Sequence, residues 1–263
     1  MSAAGARRVA LGAYVTLVLT FLMLPVLVIV LAAFTNTSYL TIPPKGLTLT
    51  WFVQVLADRD YVAALLYSLK LAFVTTVCAL IIGTLAAYAL VRRRVPGAAI
   101  VSGLLMAPLA FPGIVIGVAL LQYYSMVGLR GSFLGLALAH LVLCVPYTLR
   151  AVIASLSGVD PDLENAACTL GAHRLEAFAR VTLPLIRPGL IAGGLFAFIT
   201  SFDNVPVSIF LVGVRDVTLP VKIFTAIEYG VDPSIAALST LLIAATAIFL
   251  VVAERWIGFH RFI

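Results

Sequence analysis

Asp203 is the lone ionisable side chain in an apolar run from Pro188 to Val214, with Ser201 shortly before it and Asn204 directly after. If that run crosses a membrane, a bare carboxylate near its centre costs about 2.5–3.5 kcal/mol, and something must offset the cost. Two arrangements would. Ser201, Asp203 and Asn204 could face a polar interior path. Alternatively, the acid could take a structural hydrogen bond from a neighbouring span or sit near a hydrated surface. Tyr123 and Tyr124, which follow Gln122, pose a similar choice between lining a polar path and forming an interfacial aromatic belt. His140, close to Cys144 and Pro146, reads as a packing histidine whose nitrogens find buried partners.

Other chemistries lack their residues. Cys78, Cys144 and Cys168 are widely spaced, without the pairing of a metal site or redox motif. His140, His173 and His260 are too scattered for a metal or catalytic constellation, so no catalytic, metal or cofactor site is expected. A nucleotide-binding Gly-x4-Gly-Lys-Ser/Thr is missing, and the only lysines are Lys45, Lys70 and Lys222. If the protein uses ATP, a separate subunit must bind it.

Composition tells what positions these side chains. Of the 263 residues, 63% are hydrophobic and 11% charged, with a mean hydropathy of +1.16, whereas a soluble domain carries about 25% charged residues. Uncharged runs at Val9–Phe34, Leu71–Val91, Val95–Leu129, Gly131–Leu149 and Pro233–Ala253 each reach the roughly 18 residues that a crossing needs. With Pro188–Val214 they predict an all-α integral membrane protein of about six transmembrane helices. Barrel strands are excluded because the runs show no alternation of polarity. The long run Val95–Leu129 contains Pro108 and Pro112 and reads as a kinked span with an apolar lead-in.

Arg7 and Arg8 precede an apolar core longer than the about 7–15 residues of a signal peptide, so this core reads as a retained first span with its N-terminus inside. The positive residues then fall mainly on the cytoplasmic side, the Arg92–Arg94 cluster foremost, and both termini are cytoplasmic. Lipid head groups and topology account for the net charge of +6, and no nucleic-acid partner is needed. The expected organisation is an N-terminal span and extracytoplasmic loop over 1–65, a main domain over 66–255 and a cytoplasmic tail over 256–263. Outside, residues 35–64 read as a loop and a short interfacial helix from Trp51 to Leu56, and 215–232 as a structured connection.

Within the main domain, the cytoplasmic loop 156–187 is the segment richest in signals. Asp160 suits an N-cap, Pro161 the first helical position, and Asp162 and Glu164 the positive end of the helix dipole. Gly171 suits the left-handed residue that ends this helix after Leu170. Leu163, Ala166, Ala167 and Leu170 make a small apolar face. A second helical stretch runs from about His173 to Val181, with Pro184 limiting it. The pair is either a knob that fits a groove on a partner or an interfacial pair that only ties spans together.

The loop resembles a motif of the permease subunits of binding-protein-dependent ABC importers of the type I fold: Glu-Ala-Ala, three residues, Gly, nine residues, then Ile-x-Leu-Pro. Here the corresponding residues are Asn165-Ala166-Ala167, Gly171, and Val181-Thr182-Leu183-Pro184, with the same spacing. Asn165 replaces the motif's glutamate, with Glu164 next door, and Val181 replaces isoleucine. The likeness extends from about Tyr67 to Ala253 and includes Tyr67-Ser68-Leu69, His140 to Pro146 and Phe198 to Asp203. It is greatest for the second permease of spermidine/putrescine-type importers.

The resemblance implies a bacterial inner-membrane transport subunit, not an enzyme. It would import a polyamine or related amine with a second permease, two copies of an ATPase subunit and an extracytoplasmic solute-binding protein. Asp162, Glu164, Asn165, Ala166, Ala167, Gly171, Val181, Leu183 and Pro184 would then couple to the ATPase. The competing class is an ion-coupled secondary transporter. It usually shows internal repeats and several intramembrane ionisable residues, and neither is evident.

Overall fold

The computed structural model describes residues 3–93, 95–214, 216–230 and 232–257. Arg94 of the arginine cluster, His260, Arg261 and the tail beyond Ile257 lie outside the described residues. Among the described residues the regular elements are all helical. Three helical segments are each long and apolar enough to cross a hydrocarbon core: Ala10–Ala32 of α1 (Ala3–Ala32), α3 (Arg59–Arg92) and α6 (Phe133–Ser157). Two further apolar stretches are bent pairs, and the apolar helix α13 (Pro233–Ile257) follows. Together these segments account for every apolar run in the sequence.

Both bends have visible causes. Helix α4 (Ala98–Met106) tightens into a 3-10 turn at Ala107–Ala110, and the chain then turns by 102° into α5 (Gly113–Val127). Pro108 lies in the tight turn and Pro112 immediately precedes α5, so the expected kink is a complete break. The second pair turns by 73° between the segment ending at Leu185 and α10 (Arg187–Phe202).

Two compact units divide the chain. In the first, residues 63–222, the central feature is α10 packed antiparallel on α6. Gly189, Gly193, Ala197 and Ser201 recur every fourth residue along α10 and are all buried. A Cβ placed on Gly189 would lie 2.8 Å from the Ala151 carbonyl oxygen, and one on Gly193 would lie 3.0 Å from the Thr148 Cα. Small side chains let the two backbones meet, which is how helices gain packing energy in lipid, where burying apolar groups gains nothing. Helix α3 lies against the same α6, and the Thr148 hydroxyl donates to the Ala79 carbonyl of α3 at 2.8 Å.

Helix α10 stops at Phe202, and the chain resumes as the short α11 (Ser208–Leu211). Asp203 is therefore at the C-terminal cap of a helix, not inside a continuous span. Pro206 supplies no backbone N–H and disfavours helical geometry at Val205, while Asn204 Oδ1 accepts from the Val207 N–H at 3.0 Å and closes the turn. Helix α5 clasps this turn: a Cβ on Gly117 would lie 2.9 Å from the Pro206 carbonyl oxygen.

The second unit comprises residues 1–62 and 223–263. Here α2 (Thr50–Ala57) is the short helix expected near Trp51, and it packs with α13. Ala33, Ala236 and Ala237 form the core with Leu40, Trp51 and Phe52 around them, and Trp51 Nε1 donates to the Thr35 carbonyl at 2.8 Å. Asp232 caps α13, accepting from the Ser234 N–H at 2.7 Å and from the Ser234 hydroxyl. The connection expected at 215–232 contains a helix, α12 (Leu219–Tyr229).

Candidate functional site

The loop after α6 folds as its local chemistry dictates. Helix α7 (Pro161–Thr169) begins where Asp160 Oδ1 accepts from the Asp162 N–H at 2.9 Å. It ends in a bend at Gly171, whose φ of +101° places it in the left-handed region. There the Ala172 N–H reaches back to the Ala167 carbonyl at 3.1 Å and the Gly171 N–H to Cys168 at 3.0 Å. These bonds satisfy carbonyls that the end of the helix would otherwise orphan.

The second stretch differs from the sequence expectation. Helix α8 (Arg174–Ala177) does not end at Pro184; it passes through a π turn, Phe178–Thr182, into α9 (Leu183–Leu185). The wider i→i+5 turn accommodates the missing N–H of Pro184, which then falls in the first turn of α9.

On the outer face of this loop Asp162, Asn165, Ala166 and Gly171 are exposed, and Asn165 Nδ2 donates to Asp162 Oδ1 at 3.2 Å. Leu163 is also exposed, and the tips of Leu170 and Leu175, at 89% and 74% exposure, stand free of the chain. Ala167, Val181, Leu183 and Pro184 are half-buried beneath them. The motif positions thus divide into a presented surface and its foundation.

Glu164 belongs to the foundation. Its Oε1 accepts from the Tyr88 hydroxyl of α3, and its Oε2 accepts from the Thr182 hydroxyl in the π turn at 2.9 Å. The carboxylate therefore faces inward and does not stand in for a glutamate at position 165. The Tyr88 ring packs edge-on against Phe178, with centroids 4.9 Å apart. One turn further along α3, Arg92 Nη2 donates to the Val159 carbonyl at 2.6 Å just past the end of α6. The contacts made by Tyr88, Arg92 and Thr182 escaped sequence reasoning. The available signal was the pair of polar residues one helical turn apart at the end of an apolar run.

The residues expected to line a path are not all free to do so. Ser201 is only 3% exposed, and its hydroxyl meets His140 Nδ1 at 2.8 Å, while Ser208 meets His140 Nε2 at 2.9 Å. His140 is thus the satisfied packing residue expected of it, and it pins both sides of the α10–α11 break to α6. Tyr124 is buried in a cluster with Leu71, Leu136 and Leu143. Asn204 is occupied in the turn. Tyr123, 58% exposed, and Asp203, also exposed, remain available to a solute. Among the described residues no hydrogen bond or ion pair engages the Asp203 carboxylate, and no group of acids, histidines and cysteines could hold a metal.

A family model described as "Binding-protein-dependent transport system inner membrane component" matches residues 79–260. The spermidine/putrescine transport system permease protein PotC of Haemophilus influenzae is 33% identical over 243 residues, covering 92% of this chain and 94% of the relative. The putrescine transport system permease protein PotI of Escherichia coli K12 is 34% identical over 236 residues, covering 87% of this chain and 84% of the relative. Among solved structures, a bacterial ABC transporter involved in the import of the acidic polysaccharide alginate superposes with a TM-score of 0.79 at 15% identity. That match covers 97% of this chain and 98% of the other, and it speaks to the fold alone.

Proposed function

The chain belongs to the family of binding-protein-dependent transport system inner membrane components, and from that premise we propose that it forms half of the translocation path of an ATP-driven importer of polyamines or related amines. A permease role, rather than an ion-coupled carrier, follows from the family. The substrate class draws on the names of the relatives and on the exposed acid at Asp203. The observation that carries the reading is the knob at 160–177, a capped helix, a glycine bend and the short α8, which present Ala166, Leu170 and Leu175 outward.

In this reading the knob docks in a groove of a separate ATPase through Ala166, Ala167 and Gly171. Two ATPase copies, a second permease and an extracytoplasmic solute-binding protein complete the assembly. Arg92, Arg93, Arg150 and the knob face the cytoplasm, as do both termini, while Lys45 and Asp216 lie outside, in keeping with the positive-inside rule. Closure of the ATPases pushes on the knobs and rocks the spans between inward-open and outward-open states.

The deciding experiment is uptake of labelled spermidine and putrescine by vesicles containing the reconstituted assembly. Uptake should require ATP inside the membrane face that bears the ATPase and require the binding protein on the other. Uptake that instead follows an ion gradient without ATP overturns the reading.

A further inference from the structure

We propose that Tyr88, Glu164 and Thr182 form a load-bearing strut that transmits the displacement of the ATPase-docking helix to the transmembrane helices. The proposal rests on the docking role given to α7 above. Its starting point is how little else fixes α7 in place. None of the nine residues of α7 is buried; its Leu163 is about half exposed, and Leu170, which caps its C-terminus, is almost wholly exposed. The half-buried side of this helix packs on α8 and the π turn, so apolar contact alone does not hold it firmly against α3.

The Glu164 carboxylate does. One oxygen accepts from Tyr88 on α3 and the other from Thr182 in the π turn that leads through α9 into α10. Bonds to an ionised acceptor are the stronger kind, and two donors from different elements fix a direction as well as a distance. The π turn contributes by shifting the helix register, and such turns recur at functional positions. Phe178 from the same turn braces the Tyr88 ring. Arg92, one turn beyond Tyr88, fastens α3 to the carbonyl that follows α6. A push on α7 therefore arrives at α3, α6 and α10 together.

The sequence departure at the motif fits this arrangement. Neighbouring residues on a helix lie about 100° apart around its axis. An acid at 164 therefore points to a different side of α7 from Asn165, which is exposed. Glu164 serves the internal joint, and the motif's glutamate position carries a neutral amide.

The test uses the reconstituted assembly with its ATPase and binding protein. Tyr88→Phe and Thr182→Val each delete one hydroxyl and keep the packing. Glu164→Gln is the rescue control, since its amide can accept from Tyr88 while donating to Thr182. Each hydroxyl deletion should leave ATPase association, basal hydrolysis and the apparent KM of uptake unchanged. Solute moved per ATP should fall about ten-fold, the scale of one charge-assisted hydrogen bond. Glu164→Gln should stay within about two-fold of the parent, because the bonds survive though weakened. A normal transport ratio in both deletions overturns the strut, and so does loss of assembly in both, which would make the cluster a folding element. Leu170→Asp, on the exposed tip, tests the underlying docking separately: if it still binds the ATPase and transports normally, the docking reading fails whatever the deletions show.

Discussion

Gly83 of α3 and Thr148 of α6 meet with no room for another atom: a Cβ on Gly83 would stand 2.1 Å from Thr148 Oγ1 and 3.0 Å from the Leu149 backbone nitrogen. The Thr148 hydroxyl can rotate, but it would give up its bond to the Ala79 carbonyl, and the backbone nitrogen cannot move independently. Gly83→Ala should destabilise the protein by about 1–3 kcal/mol, the usual cost of overpacking. Graded unfolding of the purified protein in mixed detergent would measure it. Gly103→Ala is the control, since nothing lies within 4 Å of the added carbon, and it should be close to neutral.

His140 should be harder to replace than its lone position in the sequence suggests. His140→Leu leaves the hydroxyls of Ser201 and Ser208 without their buried partner, at a cost of about 1–3 kcal/mol for each group left unsatisfied. The triple variant with Ser201→Ala and Ser208→Ala removes the orphaned hydroxyls as well and should recover part of that loss. Thermal inactivation of the reconstituted protein would show the recovery; a triple variant no more stable than His140→Leu would mean that the histidine acts through its volume alone.

What could be read from the sequence and what could not divide along the distance over which each feature is determined. The cap at Asp160, the start at Pro161 and the bend at Gly171 depend on residues a few places apart, and all three were legible. The inward turn of Glu164 was not, because its partner Tyr88 lies 76 residues away. Gly189, Gly193, Ala197 and Ser201 stand at four-residue spacing in the sequence, yet only the packed α6 explains the stripe. The end of α10 at Phe202 was missed because the apolar residues on either side keep a long window average high across Asp203–Pro206, and such an average does not register where one proline redirects the backbone. The same averaging made Ser201, Asp203 and Asn204 look alike, when one is sealed in the core, one is exposed and one closes a turn.

Gly171 should tolerate only residues that accept a positive φ. Open space surrounds its Cβ position, so a substitution there is penalised by backbone geometry and not by a clash. Gly171→Leu should cost roughly 1–2 kcal/mol locally and lower transport and substrate-stimulated ATP hydrolysis together. Gly171→Asn should be milder, because asparagine enters the left-handed region more readily. Unimpaired transport by the leucine variant would separate this loop from coupling.

Labelling of single cysteines by a membrane-impermeant thiol reagent tests the orientation. The native Cys78 and Cys168 are half-exposed, and they and the buried Cys144 must first be replaced. Position 173 should then react only from the cytoplasmic face, and positions 45 and 216 only from outside. Access to position 45 from the cytoplasm alone would invert the topology.

Asp203 carries the most consequential prediction because its setting narrows its role. It lies at the α10–α11 break, held by His140 on one side and by α5 on the other, and its carboxylate is exposed and unengaged among the described residues. Among the described residues no structural hydrogen bond therefore offsets the cost of this charge. Hydration, a partner subunit or a passing cation must do so. Asp203→Asn keeps the size and hydrogen-bonding capacity and removes only the charge. For a residue that attracts an amine, assembly and basal ATP hydrolysis should remain intact while the apparent KM for spermidine rises about ten-fold, the scale of one lost charge-assisted contact. The effect should shrink in high salt, where an exposed charge is screened. Unchanged spermidine uptake by the asparagine variant at low salt would remove Asp203 from the path, and loss of assembly would place it at the interface with the second permease.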